Sequence, residues 1–160
     1  MIRPRSLPRT ARTTVRTLAL LAALALVANA AAQTTPLKVF TADLSPKNVV
    51  PPVQTGASGF AVAVLNGHQL DVLGSFLALS SPVATELRGG AHIHQGGPND
   101  NGPILYSLNV DGTVAGSIRG TFDLTDAQVK ALEAGDLYVQ IHSELHKPGE
   151  MRAQLEPFTP

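Results

Sequence analysis

The chain has no cysteine. That absence removes disulfides, thiolate zinc sites, redox motifs and cysteine nucleophiles, so any metal must be held by His, carboxylate, Met or backbone oxygen. After Gln33 there is no apolar run approaching the roughly 20 residues that a membrane helix needs. There is no internal repeat and no G-x-S-x-G elbow. Ser143, between His142 and Glu144, therefore reads as an ordinary strand residue rather than a hydrolase nucleophile. The opening stretch MIRPRSLPRTARTTVRT lacks any acidic residue and carries Arg3, Arg5, Arg9, Arg12 and Arg16.

That basic opening is followed by an apolar run, LALLAALALVA from Leu18 to Ala28, and by the small residues Ala30 to Ala32. Ala28-Asn29-Ala30 fits an A-x-A cleavage site. Charged start, short apolar centre and small-residue exit predict a secretory signal peptide over 1–32. The apolar run is too short to remain as an anchor. The expected product is a secreted, periplasmic or cell-envelope protein of one domain, 33–160, with no transmembrane anchor after cleavage. Without disulfides, its roughly 128 residues must hold together by their core alone. Seven basic residues against twelve acidic ones follow the leader, which leaves that product at −5 with His neutral. An acidic domain is a poor polyanion binder, so nucleic acid is not an expected partner.

The rest of the chain reads as short strands between turns. Leu37 to Ala42 alternates loosely, and Phe60 to Leu65 is an apolar β-type run. Asn66-Gly67 then predicts a hairpin into His68 to Val72, since both turn residues tolerate positive φ. Asp111-Gly112 predicts a second turn, before Thr113 to Phe122. One helix is expected over Leu124 to Gly135: Thr125 and Gln128 have capping-box spacing, Leu124 and Val129 sit at the staple positions, and Gly135 supplies the stop. Leu137 to His142 and Glu150 to Leu155 are the clearest strands. The first sets Leu137, Val139 and Ile141 against Tyr138, Gln140 and His142. The second sets Met151, Ala153 and Leu155 against Glu150, Arg152 and Gln154. The fold class this predicts is mainly β, an antiparallel Greek-key-like β-sandwich with one short helix.

The stretch AHIHQGG, Ala91 to Gly97, carries two of the five histidines. As a strand it sends His92 and His94 to one face, their Cβ atoms roughly 6.5–7 Å apart, and Ile93 to the core. His142 lies on the polar side of its own strand. If the two strands are neighbours, three imidazoles converge, a donor set that suits copper or zinc with an open position. Gln140, Glu150 and Arg152 would line the same face and could orient the rings. His146, Met151 and Glu144 are weaker ligands. Against this stands a plainer reading, in which the polar face is solvated or tied by hydrogen bonds without metal. Gly97 to Pro103 is oxygen-rich, but it lacks the spacing and terminal Glu of a calcium loop and reads as a turn.

The same residues carry a family resemblance. VPPV at Val50 to Val53, AHIHQGG with the following NGPIL, LTDAQVKALEAGDLYVQIHS and the closing PGEMRAQL resemble the CHRD domain, the chordin-type module also found in bacterial secreted proteins. The likeness runs from about Leu44 to Leu155. Two positions depart: Val49 stands where the family usually has Glu, and Ala153 where it tends to have Gly. The resemblance implies an exported β-sandwich without a general enzymatic activity. AHIHQ is also similar to the H-V-H strand of copper/zinc superoxide dismutases. By that likeness His92, His94 and His142 would be copper ligands, though no bridging histidine, zinc-site Asp or disulfide can be placed. The leading expectation is a non-catalytic binding or structural module that contacts an extracellular protein or envelope polymer. The alternatives are a copper or zinc binder through the three histidines and, behind it, a redox enzyme of superoxide-dismutase type.

Overall fold

Alternating apolar and polar side chains make strands that can bury one face, and strands dominate the described residues. A computed structural model of the protein describes residues 36–159; the expected leader, 1–32, lies outside them. The strands are β1 (Lys38–Leu44), β2 (Ser58–Asn66), β3 (Gln69–Leu77), β4 (Ala91–Gln95), β5 (Ile104–Ser107), β6 (Asn109–Gly112), β7 (Gly116–Asp123), β8 (Leu137–Ile141), β9 (Met151–Gln154) and β10 (Glu156–Pro157). Among the described residues one α-helix, α1 (Asp126–Glu133), joins β7 to β8. All of these belong to one compact unit, Thr35–Pro160.

The strands form two antiparallel sheets, one of six in the order β10-β1-β2-β3-β7-β6 and one of four in the order β5-β4-β8-β9. The fold is mainly β, with two packed sheets and one short helix, as expected. Phe40, Ala42, Ala61, Ala63, Leu70, Val72, Phe76 and Ile118 supply the core from the larger sheet. Ile93, Val139, Ile141 and Met151 supply it from the smaller. The other face of the larger sheet is open, with Leu73 and Leu77 more than half exposed.

The smaller sheet differs. Every residue of β8 and the first four of β4 are buried, so these strands are covered on both faces. One cover is the sandwich core. The other is a roof of two loops, 96–103 and 143–150, lying over the polar face.

The helix starts as its capping residues predict. The Thr125 side chain accepts from the Gln128 N–H, and the Gln128 side chain accepts from the Thr125 N–H, closing the capping box. The two hairpin turns fall later than expected. Asn66 still pairs with Gln69, so the turn residues are Gly67 and His68, with only Gly67 at positive φ. That is the arrangement of a turn with glycine first, which needs no positive φ from the second residue. Likewise Gly112 pairs with Gly116, and the β6–β7 loop is Thr113 to Ala115 rather than Asp111-Gly112. The ladder takes in Asn66 in the first hairpin and both Asp111 and Gly112 in the second.

Candidate metal centre

The site begins with strand alternation. His92 and His94 project from one face of β4 while Ile93 points into the core. β4 pairs with β8, setting His92 opposite Gln140 and His94 opposite Tyr138. His142 follows directly after β8, where its N–H is donated to the Gly90 carbonyl just before β4. The pairing the sequence could only suppose therefore exists, and it brings the three rings together. Their centroids are 5.0 Å apart for His92 and His142, 5.6 Å for His92 and His94, and 5.9 Å for His94 and His142. One ring nitrogen from each lies within 4.8 Å of the others. His92 is fully buried, and His94 and His142 are 7% exposed.

Around this triad the outer face reaches up to its roof. Arg152 donates to the carbonyls of Asp100 and Gly97, at 2.8 and 2.7 Å, and to the Gln154 side-chain oxygen. Gln154 donates to the Gly96 and Gly135 carbonyls. Gln140 donates to Pro148 at 2.6 Å, and the Gly102 N–H donates to the Tyr138 hydroxyl at 3.0 Å. Tyr138, on the central strand, lies between two neighbours. The Arg152 guanidinium sits 3.5 Å from its ring centroid, and the His94 ring stacks on it at 4.9 Å, tilted by only 8°. Two glycines let the roof come down this far. A Cβ at Gly149, which has φ +138°, would overlap the Gln140 amide, and one at Gly102 would overlap the Gln95 carbonyl.

Carbonyls also fix two histidine tautomers. His94 Nδ1 lies 2.9 Å from the Gly102 oxygen, and His142 Nδ1 lies 2.7 Å from the Lys147 oxygen. A carbonyl only accepts, so each Nδ1 carries the proton and each neutral ring keeps its lone pair on Nε2. Those two Nε2 atoms have no partner, and neither nitrogen of His92 has one. Orphaned buried polar atoms are uncommon in folded proteins. Here four nitrogens from three converging rings are orphaned together.

Burial sets the charge of the cluster. Desolvation pushes all three histidines below their ordinary value of 6.5, and His142 to about 4. The Lys147 and Gly102 carbonyls oppose the shift for His142 and His94. The Arg88 and Leu87 carbonyls oppose it for His92 without closing a hydrogen bond. His92 and then Arg152 add to the lowering for His94. The rings are neutral at pH 7, the form that ligates metal.

The other residues singled out from sequence are placed as follows. Gln140 and Arg152 hold the roof loops, while the ring N–H groups go to main-chain carbonyls. Glu150 is fully buried, but one oxygen accepts from the Ser80 N–H and the other is unpartnered. Met151 points into the core, His146 is half-buried and Glu144 is exposed. His68, in the β2–β3 turn, bonds Asp126 at 2.7 Å, far along the chain from the triad. Sequence reasoning left Tyr138 and Gln154 out of the site, although their alternation with His142 and Arg152 marked the same face. It had no signal for the carbonyls of Gly102 and Lys147.

A two-sheet antiparallel sandwich with a buried polar cluster on its smaller sheet is thus the class of protein. The CHRD domain model matches residues 40–155, most of the chain, and the protein belongs to the CHRD domain family. No curated protein and no solved structure matches it. The two departures from the family pattern, Val49 and Ala153, are both buried, and Ala153 packs in the hydrophobic core.

Proposed function

We propose that this CHRD-domain protein is an exported, non-catalytic module that holds one copper or zinc ion through His92, His94 and His142. The observation that carries this reading is the set of four unpartnered buried nitrogens on three converging neutral imidazoles. A purely structural network would be expected to satisfy its members, as the Arg152, Gln140 and Gln154 part of this face does. Imidazole donors without thiolate suit copper and zinc. Metal–nitrogen bonds of about 2.0–2.1 Å place ligand nitrogens about 3.3–3.5 Å apart, so the ring nitrogens, all within 4.8 Å of one another, would draw together on binding. Export is read from the basic, apolar and small-residue order of 1–32.

Burial favours holding over turnover. A redox enzyme of superoxide-dismutase type would use the same three ligands, but its substrate would have to pass the roof to reach the ion.

The test is metal analysis of untagged protein, followed by titration with Cu²⁺ and Zn²⁺, wild type against His92→Ala/His94→Ala. Stoichiometric binding that disappears in the double variant is the expected result. Binding that survives it, or no specific binding by the wild type, refutes the reading. Edman sequencing of the protein recovered from the expressing cells should begin near Ala31 or Gln33; an intact Met1 would refute cleavage.

A further inference from the structure

We propose that, among copper(I), copper(II) and zinc(II), this triad is selective for copper(I). The inference rests on the metal-binding reading above and narrows it to one ion. Donor type does not decide the matter, because imidazole accepts all three. Coordination number, solvent access and charge do.

The triad offers three ligands and no fourth. Among the described residues, only His92, His94 and His142 bring ligand atoms together in this way. The polar groups around them do not complete the set. The Tyr138 hydroxyl accepts from Gly102 and the Gln140 amide donates to Pro148. Glu150 holds the Ser80 N–H with one oxygen, and although its other oxygen is buried without a partner, it does not join the converging ligand atoms. Zinc(II) in proteins is almost always four-coordinate, and copper(II) favours tetragonal sites of at least four donors. Copper(I), with a filled d shell and a single charge, is complete with three.

Solvent does not readily supply the missing donor. None of the orphaned nitrogens exposes as much as 1 Å² of surface. A divalent ion would have to carry a water inward beneath the roof and find partners for its hydrogens there.

Charge points the same way. The triad contains no carboxylate, and its ligands are neutral. The Arg152 cation lies against it through the Arg152–Tyr138–His94 stack. The desolvation cost of an ion rises with the square of its charge and its repulsion from a fixed cation rises linearly. Going from +1 to +2 therefore multiplies the first about fourfold and the second about twofold. A buried cluster of neutral ligands beside a guanidinium penalises zinc(II) and copper(II) on both counts.

The experiment is a set of chelator competitions on the full-chain protein. Copper(I) is presented anaerobically with bicinchoninate, and copper(II) and zinc(II) with chromophoric chelators of matched strength. One copper(I) per chain is expected, bound about a hundredfold or more tighter than either dication. Copper K-edge absorption of the loaded protein should show three nitrogen donors and no fourth ligand. Equal or tighter binding of zinc(II) or copper(II), or a four-coordinate copper(I) spectrum, overturns the selectivity and leaves metal binding intact. Failure of all three ions to leave their chelators overturns both.

Discussion

Arg152 shows how a charge is kept inside this protein. It is 1% exposed, and its donors go to two loop carbonyls and an amide oxygen rather than to a carboxylate. Its planar fork reaches both carbonyls at once, while its face lies on Tyr138; a lysine ammonium can do neither. Arg152→Ala should lower stability by about 2–4 kcal/mol, since it strands two carbonyls and opens a void under the loop. Urea denaturation would measure this, and Arg152→Lys should recover only a small part. If Lys restored full stability, the bidentate geometry would not matter. At this scale the sequence was legible wherever alternation alone assigns a face: His92, His94, Gln140, His142 and Arg152 could all be placed on the polar side. Main-chain carbonyls carry no side-chain signature, so the groups that set the His94 and His142 tautomers left no trace in the sequence.

Elements were read best where their cause is local. The ends of α1 follow from residues three and five apart, and the closed capping box gives them their physical form. Thr125→Ala removes the acceptor for the Gln128 N–H and should cost about 1 kcal/mol, visible as a lower urea midpoint with an unchanged slope. A cost near zero would mean that packing on the sheet, rather than the cap, fixes this helix. Hairpin turns were less legible because their position depends on where pairing stops. β2 and β3 hold register through Asn66 and Gln69, so Asn66 belongs to the ladder although its residue type suits the turn. The roof was least legible of all. Loop 96–103 is held by Tyr138, Arg152 and Gln154, tens of positions away. Loop 143–150 hangs on Gln140 and His142 through main-chain carbonyls, and β4 and β8 look in sequence like strands with one wet face. Nothing local distinguishes a wet polar face from a covered one.

For the whole molecule, the buried neutral histidines make stability depend on pH. Their folded pKa values lie below the unfolded value near 6.5, so the unfolded chain binds more protons across the interval between them. The stability contributed by neutral burial is fully present above pH 6.5. It is lost as pH falls through the folded values, His142 being the last near 4. A tenfold loss of proton affinity on folding is worth about 1.4 kcal/mol, so His142 alone contributes on the order of 3 kcal/mol. Metal-free protein should therefore unfold at progressively lower urea concentration between pH 6.5 and 4, and His142→Gln should flatten that slope. A slope unchanged by the substitution would place the titrating groups elsewhere. No helix among the described residues is long and apolar enough to cross a membrane. The roof has one more consequence, which concerns time rather than affinity. Under the metal-binding proposal an ion would reach or leave the triad only when a loop lifts, and lifting loop 96–103 breaks the Arg152 clamp together with the Gly102–Tyr138 bond. Loading and release would then run at the pace of a local unfolding event, and the hydrogen-exchange rate of the Gly102 amide would set their ceiling.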